Sequence, residues 1–234
     1  MITRRTALAS CAAVGVAAVT AGLARAEPGG PAAMRWDAEQ APFQLAQARR
    51  TAPPAGPTII ADPVLGLVNL AGPAGQALLE KDRAALADVF QNNIRIGDTE
   101  VPPCNVLFFY GTLEPSTRVA GQKFTLRDMI KAARARIAVL ATDLPPDLMK
   151  NDDFDKAMQA PSDWPANIVL VLDRQGDDFG RFFARLFSSM REGLAMPSAW
   201  VKIAPQGPYQ PKDIPSAVAI FEAGNIAFGP KKKG

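Results

Sequence analysis

The chain has 234 residues, 48% of them hydrophobic, with 26 basic and 23 acidic side chains, two cysteines and no histidine. The missing histidine excludes Ser-His-Asp and Cys-His catalysis and every metal site built on imidazole. Any catalysis is left to carboxylates, Lys, Tyr or a bound cofactor. The net charge of +3 is small and sits at the two ends, so the body lacks the basic face that a nucleic-acid partner needs.

The first residues read Met1-Ile2-Thr3-Arg4-Arg5-Thr6, followed by the Ala/Gly-rich run 7–24 and the small-x-small triplet Ala24-Arg25-Ala26. This is the three-part layout of an export signal. The paired arginines, the weakly apolar core and the basic Arg25 resemble a twin-arginine translocation signal. That resemblance implies a bacterial protein exported folded to the periplasm, with the export machinery as its first partner and a cut after Ala26. An uncleaved anchor is the alternative, although 7–24 is at the short edge for a span. Leu8-Ala9-Ser10-Cys11 has the look of a lipoprotein box, but most of the apolar core follows Cys11 rather than preceding it. Membrane contact is expected only through the signal. Without Arg4, Arg5 and Arg25 the bases equal the acids in number, and Lys231, Lys232 and Lys233 lie in the terminal tail. Cys104 is then the one cysteine left, and no intrachain disulfide can form.

Residues 27–57 are rich in Pro, Ala and Gly and read as a linker, with a short helix near Asp37–Arg49. A single α/β domain is expected over 58–230, and a basic tail over 231–234. Gln76–Phe90 carries Leu78, Leu79, Leu86, Val89 and Phe90 with charges between, a helical pattern. A short strand at Ile94–Ile96 and a turn at Gly97-Asp98 follow. Asn105–Tyr110 is a continuous apolar run of the kind found in central parallel strands. Thr125-Leu126-Arg127-Asp128 is a capping box, opening a helix whose inner face is Leu126, Met129, Ile130 and Ala133. Ile137–Thr142 reads as a strand, Asp152–Met158 as a short helix and Asn167–Leu172 as a strand. Asp177 or Asp178 caps a helix with Phe179, Phe182, Phe183, Leu186, Phe187 and Met190 at strict helical spacing and Gly193 at its end, a core stripe. Ala199–Ala204 reads as a further strand. Val218–Phe221 and Asn225–Phe228, joined through Ala223-Gly224, read as a closing hairpin. Strands alternating with helices predict a three-layer α/β sandwich with a mostly parallel central sheet and a C-terminal hairpin.

In open α/β sheets a ligand sits beyond the carboxyl ends of the strands. That rule selects a candidate rim: Tyr110, Gly111, Thr112, Glu114 and Ser116 after the first central strand, Thr142 and Asp143 after the next, Asp173 and Asp177 after the third, and Gln206 and Tyr209 after the last. Glu114, Asp143 and Asp173 are expected to converge there, able to hold a divalent cation or share protons, or else to serve as turn and cap residues. Cys104 is at the opposite end of its strand with no histidine to activate it, and reads as a small buried apolar residue.

Other motifs exclude more than they assign. Asn151-Asp152-Asp153-Phe154-Asp155 has alternating carboxylates but lacks the sixth-position glycine and the acidic twelfth residue of an EF-hand. Glycine-rich phosphate loops and C-x-x-C are absent, so no cofactor is named. The order of Asn105–Ser116, then Ala135-Arg136-Ile137-Ala138-Val139-Leu140, then 179–187 ending in Arg191-Glu192-Gly193, then the strand Ala217–Phe221, resembles the C-terminal half of caspase-like (CHAT) domains. That family carries a catalytic cysteine at the carboxyl end of the strand matching Asn105–Tyr110 and a histidine on an earlier strand. Here the matching turn is Tyr110-Gly111-Thr112-Leu113 and histidine is absent, so peptidase activity does not carry over.

Three functions are open at this level. One is an exported non-catalytic binding or accessory module that meets an unknown protein or small-molecule ligand along the rim. The second is a carboxylate hydrolase, with or without a metal, using Glu114, Asp143 and Asp173. The third is an interaction protein that covers a partner with Trp164, Trp200 and its phenylalanines.

Overall fold

The computed structural model describes residues 33–37, 41–45, 56–97, 100–174, 178–203 and 216–231. The strands are β1 (Ala33–Asp37), β2 (Ala41–Leu45), β3 (Thr58–Ile60), β4 (Leu65–Asn69), β5 (Ile94–Gly97), β6 (Val106–Tyr110), β7 (Ile137–Leu140), β8 (Asn167–Asp173), β9 (Ser216–Phe221) and β10 (Ile226–Phe228). The helices are α1 (Gly72–Phe90), α2 (Leu126–Ala133), α3 (Asp152–Gln159), α4 (Asp178–Arg191) and α5 (Met196–Ile203).

The main sheet runs β2-β1-β9-β8-β7-β6-β4-β5. It is parallel from β5 through β8, and β9, β1 and β2 add to it antiparallel. Strands buried on both faces have no need to alternate polar with apolar residues, which is why Val106–Tyr110 is apolar throughout. On one face Leu65, Leu67, Val106, Phe108, Val139 and Val169 pack against α1, α4 and α5. On the other, Val68, Leu107, Phe109, Leu140 and Ile168 pack against α2 and α3. The protein is therefore a three-layer α/β sandwich.

The α4 stripe is core. Its aromatic rings meet edge-on: Phe183 stands 5.3 Å from Phe108, and Phe182 stands 5.5 Å from Trp200. Burying each such side chain contributes roughly 1.5–3 kcal/mol. The capping box forms as read, with Thr125 and Asp128 each bonding the other's backbone N–H. The four expected inner residues of α2 are all buried.

Four stretches differ from the sequence reading. The 37–49 helix is replaced by β1 and β2, so the predicted linker contributes to the sheet. Pro42 already opposes a helix there and is tolerated on an outermost strand. Of the strand expected at 199–204, residues 199–203 are instead part of α5, because Met196, Ala199 and Trp200 fall at i, i+3, i+4 and are buried together, and Ala204 lies outside the described residues. The strands β3 and β4 were not read at all. Both C-terminal strands form and the chain reverses between them at Gly224, whose φ is +68°. The reversal carries the chain between ladders: β9 pairs with β8 and β1, and β10 pairs with β3.

Candidate functional site

The chain passes from β4 outward to β5 and then returns to β6 on the other side of β4. The strand order thus reverses between β4 and β6, a topological switch point, the place beyond whose carboxyl ends ligands sit in open α/β sheets. Asn69 ends β4, Tyr110 ends β6, and Thr142 and Asp143 after β7 with Asp173 and Arg174 at the end of β8 complete the rim.

Each sequence-selected residue has a distinct place. Thr112 and Ser116 face solvent on the turn after β6, and Glu114 is half-buried. Glu114 is held by Arg118, whose Nε donates to Oε2 at 2.7 Å. Thr142 donates its hydroxyl to the Gly111 carbonyl and accepts from the Gly111 N–H, fastening β7 to the end of β6. Asp143 is exposed, with one oxygen turned inward to accept from the Arg174 backbone N–H at 2.8 Å. Asp173 is exposed beside it. Partial burial pushes the Asp143 carboxyl up, and the Asp173 charge adds to this. Asp143 and Asp173 therefore meet electrostatically, while Glu114 is committed to Arg118 rather than to them. Asp177, Gln206 and Tyr209 lie outside the described residues. Among the described residues, no group of three or more His, Cys, Asp or Glu side chains is arranged to hold a metal ion.

Tyr110 belongs to a different constellation. It is fully buried, and its hydroxyl donates to Asp82 Oδ2 at 2.7 Å. Asp82, on the inner face of α1 and 1% exposed, accepts from the Arg174 guanidinium at 2.6 Å through its other oxygen. Arg174 is 7% exposed. Its second arm donates to the Ala141 carbonyl at 2.5 Å, and its central carbon stands 3.8 Å over the Phe179 ring. The stacked, forked geometry suits Arg and not Lys. Burial pushes the Asp82 carboxyl up, while Arg174 and Tyr110 pull it back. With both oxygens accepting from donors, Asp82 is the ionised partner. Burial and the Asp82 charge push the Tyr110 hydroxyl well above its ordinary range. A β-carbon at Gly180 would stand 2.7 Å from the Ala85 β-carbon, so only glycine lets α4 lie this close to α1 beside Asp82.

Sequence reasoning missed Asp82 and Arg174, although one local sign existed. Leu79, Asp82 and Leu86 fall at i, i+3, i+7, which puts an acid on the apolar stripe of α1.

The opposite end of the sheet is built differently. Cys104 is buried, and its thiol is pushed up to about 12, chiefly by desolvation. A β-carbon at Gly66 would stand 2.6 Å from its Sγ, so Cys104 fills the space that glycine leaves. Asn105 accepts from the Val64 N–H at 2.9 Å, and fully buried Asn167 donates to the Gly224 carbonyl at 3.0 Å. Trp200 is 1% exposed, and half-buried Trp164 donates its indole N–H to the Ala135 carbonyl at 2.8 Å. Both act within the fold rather than as an outward aromatic surface.

No family model matches this chain, and a search of curated proteins finds no match either.

Proposed function

We propose that the chain is an exported periplasmic protein, cut after Ala26, that acts as a non-catalytic binding or accessory module through the rim after β6, β7 and β8. The observation that carries this reading is how the chemically able side chains are used. Tyr110 is committed to Asp82, Thr142 to Gly111, Glu114 to Arg118, and Asp143 to the Arg174 N–H. Thr112, Ser116 and Asp173 face solvent on the same edge. Groups fixed by neighbours make a rigid recognition edge, whereas a proton-transfer pair has to reach a reacting atom. The likeness to caspase-like domains fits the same reading. The strand and turn on which it rests present Gly111 and Thr112 where that family carries its cysteine, and the chain has no histidine.

Purification of the mature protein from periplasm, followed by N-terminal sequencing, native mass spectrometry and metal analysis, tests this. A chain beginning at Glu27 with a bound ligand or partner that is lost from a D143N/D173N variant is expected. A bare monomer, or a chain that still begins at Met1, would overturn it.

A carboxylate hydrolase is a second reading, favoured by one observation: the Asp143 carboxyl is raised by burial and by Asp173, as in an acid/base pair. Hydrolysis of ester, amide or glycoside probes that D143N abolishes would select it over the first.

A further inference from the structure

One residue governs both exposed acids of the rim. The alternation of faces along β8 breaks where its register with β9 shifts, between Val171 and Asp173. Arg174, directly after β8, is turned inward, and Asp173 before it faces solvent. The backbone N–H of the same Arg174 is the donor that holds Asp143. The guanidinium below reaches Asp82 on α1, the Ala141 carbonyl at the end of β7 and the Phe179 face on α4, while Tyr110 from β6 closes the other side of Asp82.

Stability alone is a poor reason for this arrangement. Well-packed apolar residues commonly match or exceed a buried ion pair in stability. Arg174 Nε is also buried with no hydrogen-bond partner, a cost that an apolar core would avoid. What apolar residues could not do is tie four elements to one point with directional bonds.

We propose that Arg174, locked by Asp82 and Tyr110, is the positioning residue of the rim, fixing where Asp143 and Asp173 stand relative to each other. This rests on reading the rim as the binding edge. Arg174 touches no ligand in this role and acts through its own N–H and through the direction it imposes on Asp173.

The test replaces the latch with apolar side chains of similar volume, D82L/R174M in one chain, so that no buried charge is stranded. Carboxyl NMR follows Asp143, and hydrogen exchange follows the amides of Arg174 and Leu144, the latter bonded to the Val171 carbonyl. Expected is a folded protein whose Asp143 titration moves up, since the Arg174 N–H and the Arg174 charge both hold it down, and whose two amides exchange at least about tenfold faster. A folded double variant with unchanged titration and exchange would overturn the proposal. Should the double variant fail to fold, R174K decides by the same two readouts, since it keeps a charge opposite Asp82 and loses the fork. Neither readout needs a ligand, so this claim can fail while the binding reading stands, and the reverse.

Discussion

The two ends of the central sheet solve the same problem with different chemistry. Both must satisfy buried polar groups where strands meet loops. At the amino end the fasteners are the neutral amides of Asn105 and Asn167 and the Arg191 guanidinium, which donates to the Val89 and Gly229 carbonyls, with Cys104 filling a gap. At the carboxyl end they are an ion pair, Asp82 and Arg174, beneath two exposed acids. Neutral amides hold geometry without responding to pH or to a charged ligand. A buried ion pair is costlier to build, and its surroundings respond to every charge placed near it. Under the proposed reading the carboxyl end is the recognition edge and the amino end is scaffold.

The strongest way to break this comparison is to strand one charge. R174M alone leaves Asp82 buried beside only Tyr110, and should lower unfolding stability in urea by about 3–5 kcal/mol. A loss below that of the amino-end variant would remove the contrast. N105A takes the acceptor from the Val64 N–H and should cost about 1–2 kcal/mol, with no change in its pH dependence.

A smaller effect sharpens the charged side. The native state holds the Asp143 proton to higher pH than the unfolded chain does, because its carboxyl is raised by partial burial and by Asp173. Native stability therefore falls as pH rises from the ordinary aspartate value to the raised one. D143N has no such proton, so its stability profile across that acidic interval should lack this component. Chemical denaturation at stepped pH reads the difference. The smallest effect is at the inert end: with its thiol near 12, Cys104 should resist alkylation at pH 8 in the native chain and react readily in urea. Rapid labelling of the folded chain would contradict its role as filler.

How much of this was legible depended on how local the cause is. Val106–Tyr110, the α4 stripe and the Thr125–Asp128 box are written in consecutive or helically spaced residues, and they form where the sequence puts them. β4 escaped because Leu65-Gly66-Leu67-Val68 is short and broken by a glycine whose purpose, making room for Cys104, is visible only in three dimensions. Trp200 and Val201 favour strands by propensity, yet tertiary packing on Phe182 makes a helix of them. The rim was located by topology alone. Its foundation was not, because Asp82 and Arg174 are 92 residues apart and neither belongs to a motif.

The pairing of β1 with β9 sets the order in which the molecule can be completed. Ala33 lies opposite Ile220, so one of the earliest described residues waits for one of the last. At ribosomal speeds the interval is on the order of tens of seconds. The parallel core from β4 to β8 can assemble during that time, since its strands emerge close together. The antiparallel margin cannot. The protein therefore closes this margin only after β9 has been made, and deletion of either β1 or β9 should open the same seam.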